Sequence, residues 1–317
     1  MIKSIFFYFK KYSYFLGIFL FVIILAKTDL NGILVNIKNV KFSYLVFAAL
    51  FSFPAIFVKS YCWNYLKKRQ NINYSLKDSF LMYGVGLYIG SVTPGRVGEV
   101  SRALYLKKDG YSFGKSMVSL VIDRFFDVIF LLVFLLFGLL FFFESFNKQI
   151  LFFLVIIMLL ILFFFMNLKS NLIKSLLKKL FYIIVSNKHQ KSWKVNLQDF
   201  IDDIEIYKFR NYLVVFFLTA FSWLFSYIQI FITAKSIGIV NVPFLYLSVI
   251  FTIISFINLI PISILGIGTR ETALIFFLSP FLILKEQIIV FSSLILVMYL
   301  FNTLIGLICW LIKPVSV

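Results

Sequence analysis

The chain has 317 residues, of which 62% are hydrophobic and 14% charged, whereas an average soluble protein carries about 25% charged residues. This composition excludes an ordinary water-soluble globule. Lys and Arg number 31 against 13 Asp and Glu, and such an excess between apolar segments is typical of a membrane protein rather than a nucleic-acid binder. With one His and two Cys, we expect no metal site, haem or other cofactor and no disulfide framework.

Apolar runs long enough to cross a hydrocarbon core of about 30 Å recur along the chain. Two of these regions, 79–106 and 243–284, are interrupted by Pro and Gly. The sequence therefore predicts an all-α polytopic membrane protein with eight helical hydrophobic regions, about six of them full spans. The six continuous runs are 12–28, 42–60, 116–142, 150–166, 212–234 and 286–312.

The distribution of Lys and Arg predicts the orientation, because basic loops stay on the cytoplasmic side. Basic residues precede the first run and flank 79–106 on both sides. That region must then leave and return on one side, as a re-entrant hairpin or as two tight spans. Counting the membrane crossings from a cytoplasmic N-terminus also places the C-terminus in the cytoplasm. We expect the protein to lie in the cytoplasmic (inner) membrane. The first run lacks a small-residue cleavage site and is expected to stay as a span.

An internal repeat follows from this order of segments. The halves 1–166 and 212–317 each contain a span, a broken hairpin and another span, in opposite orientation. Inverted repeats with interrupted helices are a recurrent plan in transporters; the alternative is eight plain helices. The intervening 167–211 is predicted to be a cytoplasmic amphipathic linker, with a basic helix at 168–184 and a short solvated segment at 187–211.

The first break has the sequence TPGRVGEVSR. Pro94 and Gly95 interrupt the helix, and the freed backbone groups must face protein or water. Arg96, Glu99 and Arg102 recur every three residues and can share one side of a helix. Because charges in a spanning helix are costly, we interpret them as lining a polar cavity. The alternative is a hairpin tip near the cytoplasm whose arginines reach the surface.

The third run contains the motif DRFFD. Asp123 and Asp127 are four residues apart on one helical face, and Arg124 can pair with Asp127. These charges could balance the arginines of the first break. A buried salt-bridge lattice and a direct substrate role are both compatible with the motif.

The second break again places Pro and Gly before an Arg and a Glu. Pro261, Gly266 and Gly268 precede Arg270 and Glu271, which open an apolar helix. A helix N-terminus favours acidic residues and attracts anions such as phosphate. Capping alone accounts for Glu271 but leaves Arg270 unexplained.

The segments TPGRVGEVSRALYL, SLVIDRFFD and PISILGIGTRE resemble the membrane domain of the lysylphosphatidylglycerol synthase family and its stand-alone, flippase-like relatives. One departure is Leu265, which precedes Gly266 where the family usually has paired glycines. The resemblance implies a domain that moves lipids with charged or glycosylated head groups across the cytoplasmic membrane. It implies these functional residues: Pro94, Gly95, Gly98, Glu99, Arg102, Asp123, Arg124, Asp127, Pro261, Gly266, Gly268, Arg270 and Glu271.

The leading hypothesis is a lipid translocase whose partners are membrane lipids, either anionic phospholipids or polyprenyl-phosphate lipids. Arg96, Arg102 and Arg270 would meet the phosphate, and no Walker-type loop points to ATP. The alternatives are a membrane enzyme or accessory factor in lipid-linked sugar transfer, for which the outer loops offer few acids, and a small-solute or ion transporter. Lysyl transfer is not expected.

Overall fold

The computed structural model is helical and without strands across the residues that it describes, which are 17, 19–142, 148–167, 170, 174–175, 179, 187–259, 263 and 265–315. Within these residues, four helical stretches are long and apolar enough to cross a membrane, and a bent pair at Phe19–Ala26 and Leu30–Lys38 could provide a fifth span. The chain is therefore a multi-pass helical membrane protein, as predicted. The four stretches are Phe42–Arg69, Phe113–Phe142, Phe209–Ser236 and Lys285–Ile312.

Thirteen α-helices are distinguished in the described part of the chain. They are α1 (Phe19–Ala26), α2 (Leu30–Lys38), α3 (Phe42–Leu50), α4 (Ser52–Arg69), α5 (Leu76–Val92), α6 (Ser101–Lys108), α7 (Phe113–Phe142), α8 (Lys148–Met166), α9 (Asn187–Ile204), α10 (Phe209–Ser236), α11 (Phe244–Leu259), α12 (Thr269–Leu278) and α13 (Lys285–Ile312). Two 3-10 helices accompany them, Pro94–Val100 before α6 and Ser279–Phe281 after α12.

The chain divides into two compact units, each assembled from separate stretches of sequence. Unit 1 comprises Met1–Ala55, Leu87–Gly98 and Trp223–Ile305. Unit 2 comprises Ile56–Gly86, Glu99–Ser222 and Gly306–Val317. In unit 2 a buried apolar cluster connects α4, α7, α9 and α10, and its members are Cys62, Leu66, Val118, Ile122, Phe126, Ile204, Tyr207 and Val215.

Both broken regions contain two helices that fold back on each other. In the first, the Arg102 guanidinium lies 4.6 Å from the Tyr83 ring centroid, so α6 returns along α5. In the second, the Tyr246 hydroxyl donates to the Phe277 carbonyl oxygen at 2.8 Å, so α12 returns along α11. The predicted interruptions thus lie between paired helices.

The segment after the first apolar run forms a helix where the sequence suggested a loop. Asp29 caps α2, accepting hydrogen bonds from the backbone N–H groups of Asn31 and Gly32, each at 3.0 Å. A side-chain acceptor at this position satisfies donors that a helix start leaves open. The axes of α1 and α2 are bent by 92° at this cap.

The segment 187–211, which we interpreted as a short solvated stretch, contains a helix that packs on the rest of unit 2. Residues 187–204 form α9, which packs on α7 and buries Ile201 and Ile204. The sequence is misleading because the acidic residues of this segment lie between these apolar positions. Burial raises the pKa of Asp203, which also accepts a 2.7 Å hydrogen bond from the Gln70 side-chain amide.

Several sequence interpretations fall outside the described residues. They concern Pro261, the first residues of the run 12–28 and most of the proposed basic helix 168–184.

A close backbone approach between α7 and α9 generates the first prediction. A Cβ on Gly114 would stand 1.7 Å from the Asn196 carbonyl oxygen, so Gly114→Ala must force the two helices apart. We expect a loss of about 1–3 kcal/mol of stability, as for other overpacked contacts, measured as a lower melting temperature. Val195→Ala is the control, because Val195 is an exposed residue of α9 and exposed substitutions usually change stability by no more than about 0.5 kcal/mol. Equal melting of both variants would contradict the contact.

Candidate functional site

Six buried or half-buried ionisable side chains of unit 2 form a continuous set of ion pairs. They come from α4, from the first break and from α7, so the set connects the broken region to two long helices. We call it the ion-pair network; its members are Lys59, Glu99, Arg102, Asp123, Arg124 and Asp127.

Lys59 joins the two aspartates of the DRFFD motif. Its Nζ lies 2.5 Å from Asp123 Oδ1 and 2.9 Å from Asp127 Oδ1. The two carboxylates are one helical turn apart on α7, so a single ammonium can reach both. Asp123 is fully buried, and this contact supplies part of the positive charge that its burial requires.

The two arginines of the network share the remaining carboxylate oxygens. Arg102 lies 3.1 Å from both Glu99 Oε2 and Asp123 Oδ2. Arg124 approaches the same Glu99 oxygen at 3.0 Å and Asp123 and Asp127 at 3.3 Å each. Each carboxylate therefore contacts at least two cations.

The network is electrically balanced, with three cations and three anions. A lone charge in an apolar helix is costly, and a matched set lowers that cost. Arg124 differs from the others because its side chain keeps 33% exposure, and its Nη2 also donates to the Tyr83 hydroxyl at 3.1 Å. Arg124 is thus the network member that a ligand can approach first.

The second break forms a smaller buried cluster in unit 1. Arg270 Nη2 lies 3.1 Å from Glu271 Oε1, and Arg270 Nε donates to the Ser292 hydroxyl at 2.6 Å. The Glu271 carboxylate also accepts from the Gly268 backbone N–H at 2.5 Å, so Glu271 does cap α12. Because both charged side chains are nearly fully buried, Arg270 is explained as the partner of the capping carboxylate.

The backbone of the second break depends on three left-handed residues. Leu265, Gly266 and Gly268 have φ values of 52°, 78° and 83°. Leu265 thus adopts the conformation that a glycine would favour, and its carbonyl oxygen accepts from Arg270 Nη1 at 3.3 Å. Gly268 has no room for a side chain, because a Cβ would stand 1.9 Å from the Gly17 carbonyl oxygen.

Arg96 does not share a side with Glu99 and Arg102. Arg96 has a left-handed φ of 57°, so its backbone leaves the regular helical path on which a three-residue spacing would align it with Glu99 and Arg102. Arg96 is exposed and belongs to unit 1, where it and Arg270 both lie within electrostatic range of the Tyr299 phenol.

The small residues of the first break also have defined places. Pro94 and Gly95 open the 3-10 helix. A Cβ on Gly98 would stand 2.4 Å from the Ile89 carbonyl oxygen, and the Gly98 N–H donates to the Thr93 hydroxyl at 2.8 Å. Gly98 therefore permits the tight return of the chain.

Sequence reasoning missed Lys59 and Ser292. The position of Lys59 could have identified it, because it lies inside a run that was predicted to span the membrane. A lysine is rare there and needs a partner. Ser292 gave no comparable signal, because serine is common in spanning helices.

The network predicts a charge-compensation experiment. Lys59→Met leaves two carboxylates short of one cation, and breaking a buried ion pair from one side costs about 3–5 kcal/mol. Adding Asp127→Asn restores balance, so the double variant should recover about 1 kcal/mol or more. Thermal unfolding of both variants, with exposed Lys194→Met as control, measures this. An additive double variant would argue against the network.

The left-handed Leu265 gives a second prediction. Leu265→Gly relieves about 1 kcal/mol of backbone strain in the folded state. Glycine also raises the conformational entropy of the unfolded chain, which costs a similar amount of stability. The melting temperature should therefore change little. Leu265→Val should lower it clearly, because a β-branched residue is poorly tolerated there. Equal effects of the two substitutions would refute this backbone assignment.

Comparison with known proteins agrees with the motifs. The family described as lysylphosphatidylglycerol synthase TM region matches residues 11–306. The chain is also similar to UPF0104 membrane protein MJ1595 of Methanocaldococcus jannaschii, with 25% identity over 310 residues that cover 93% of this chain and 92% of that protein. No solved structure matches significantly. Because the family match spans both breaks and nearly the whole sequence, the chain belongs to the family of lysylphosphatidylglycerol synthase transmembrane regions.

Proposed function

We propose that the protein is a flippase-like translocase for a phospholipid or a polyprenyl-phosphate-linked lipid with a charged or glycosylated head group. The supporting observation is a balanced buried network with one accessible member, Arg124. An anionic head group can replace Glu99 at Arg124, while Glu99 keeps Arg102 as its partner at 3.1 Å. No isolated charge is then created in the apolar interior. The protein moves its lipid without catalysing a reaction.

Helix lengths support the interpretation of both breaks as re-entrant. The 8 residues of α6 and the 10 residues of α12 extend about 12 and 15 Å at 1.5 Å per residue, well short of a core of about 30 Å. Two such hairpins in halves of opposite orientation, 1–166 and 212–317, would make an inverted repeat. The linker 167–211 and both termini would then lie on the cytoplasmic side of the cell membrane.

The site of translocation would include the exposed Arg96 of the first break and the buried Arg270 of the second. Arg96 and Arg270 share the neighbourhood of Tyr299, and positively charged groups at this position can meet a phosphate. Glu271 would keep Arg270 in place. Because the sequence has no Walker-type loop, we expect a proton or lipid gradient to drive net movement.

The test is lipid movement in liposomes that contain the purified protein. Head-group-labelled phospholipids and polyprenyl-phosphate lipids are presented in turn, and accessibility of the label is followed from each leaflet. Arg124→Gln removes charged hydrogen bonds worth about 1.5–3 kcal/mol each, so the rate should fall about tenfold or more. Glu99→Gln and Arg270→Ala should also slow movement.

The exposed Lys194→Met serves as matched control and should move lipid like the wild type. Each variant is first shown to fold by size-exclusion chromatography and thermal unfolding. Equal rates in all variants would argue against the named residues, and no movement of any lipid by wild type would argue against translocation. Hydrolysis or sugar transfer by the pure protein would support an enzyme instead.

A further inference from the structure

Lys67 is a fully buried cation of unit 2 that the network does not include. It belongs to α4 and has no exposed surface. Its Nζ donates to the Ser79 hydroxyl at 3.0 Å, and that hydroxyl in turn donates to the Asn64 side-chain carbonyl oxygen. Among the ion pairs of the described residues, none involves Lys67.

Aromatic rings surround the Lys67 ammonium. Its Nζ lies 3.8 Å from the Trp63 ring centroid and 4.5 Å from that of Tyr74. The Arg102 guanidinium lies 5.4 Å from the same Trp63 ring. Two cations thus face one indole, an arrangement in which their mutual repulsion opposes the attraction of each for the ring.

With Lys67 protonated, this buried region holds one more cation than anions. The ion-pair network has three charges of each sign, and the nearby Asp78 is already paired with Lys313. A buried charge without a counter-ion is costly, and ring faces and a hydroxyl compensate only part of that cost. An anion placed beside Lys67 and Arg102 would restore the balance.

Tyr74 covers Lys67 from the short segment 70–75 between α4 and α5. Its hydroxyl donates to the Asp109 carboxylate. Burial raises the pKa of the Tyr74 phenol, and the contact with Asp109 raises it further, so the phenol stays a donor at neutral pH. Release of the hydrogen bond to Asp109 would remove one of the contacts that hold the ring over Lys67. The surrounding surface is basic and would attract anions; its exposed cations are Arg69, Lys77, Lys107 and Lys108.

We propose that Lys67, beneath the Tyr74 ring, is a binding subsite for the phosphate group of an anionic lipid. The inference rests on the proposed function and deepens it, because it names the head-group chemistry that the protein recognises. The lipid phosphate approaches over the basic surface, displaces the Tyr74 ring and supplies the counter-ion that Lys67 lacks. Free phosphate has the same chemistry and is distinguished by experiment.

The experiment follows thermal unfolding of the full chain in nanodiscs. One series replaces phosphatidylcholine stepwise by phosphatidylglycerol, and another adds inorganic phosphate to phosphatidylcholine discs. For wild type we expect a saturable rise in melting temperature of about 3 °C or more with phosphatidylglycerol. In Lys67→Met the rise should disappear, while melting in pure phosphatidylcholine stays at or above that of wild type.

Three further variants make the result specific. Lys67→Arg keeps the charge and should keep the rise, and exposed Lys194→Met should behave as wild type. Tyr74→Phe loses the contact with Asp109 but keeps the ring, so a lower fraction of anionic lipid should reach half of the rise. This variant tests the subsite even if Lys67→Met fails to fold.

The outcomes separate cleanly. A response to phosphatidylglycerol alone identifies a lipid head group, and a response to both ligands identifies the phosphate itself as sufficient. A response to inorganic phosphate alone, or an equal rise in wild type and Lys67→Met, overturns the proposal. Binding that depends on Lys67 without lipid movement would refute translocation only, whereas movement with an unaltered response in Lys67→Met would refute the subsite only.

Discussion

Compensation of charge inside apolar helices is the constraint on which the rest of this structure depends. Four cations and three anions of unit 2 lie in or beside helices that are otherwise hydrophobic, and hydrocarbon offers them no water. Each member of the ion-pair network has a partner from another element, and these partnerships connect α4, the first break and α7. Lys67 instead contacts a hydroxyl and ring faces. The packing of the first break is therefore determined more by the pairing of charged side chains than by the fit of side-chain shapes.

The two breaks solve the same problem in different ways. At the first break, Glu99 and Arg102 reach across to α7 and join a network of six side chains. At the second, Arg270 and Glu271 satisfy each other, a helix N-terminus and one serine. The second cluster is closed, whereas the first keeps one member accessible. If the proposed function holds, that difference favours the first break as the place where a charged head group meets a side chain.

The sequence predicted features that depend on local helix geometry, and it did not predict contacts between segments that are distant in the chain. Six continuous runs were predicted to span, and four of them coincide with described helices that are long and apolar enough to do so. Helical periodicity placed Asp123 and Asp127 on one side of α7. The partner of both, Lys59, is 64 residues from Asp123, and no local rule selects such a pair. The spacing of Arg96 misled because it assumed a regular helix, whereas Arg96 has a left-handed φ of 57° that interrupts the helical path. In α9, acidic residues lie between the apolar positions, so the side of this helix that packs on α7 was not recognised from the sequence.

The central claim is that a lipid phosphate can exchange with a carboxylate inside the ion-pair network. The most direct measurement is a high-resolution structure of the protein in nanodiscs that contain phosphatidylglycerol. The account predicts phosphate density within hydrogen-bonding distance of Arg124, with the 3.0 Å contact between Arg124 and Glu99 broken. Lipids confined to the outer helix surfaces, with that ion pair intact under saturating phosphatidylglycerol, would contradict it.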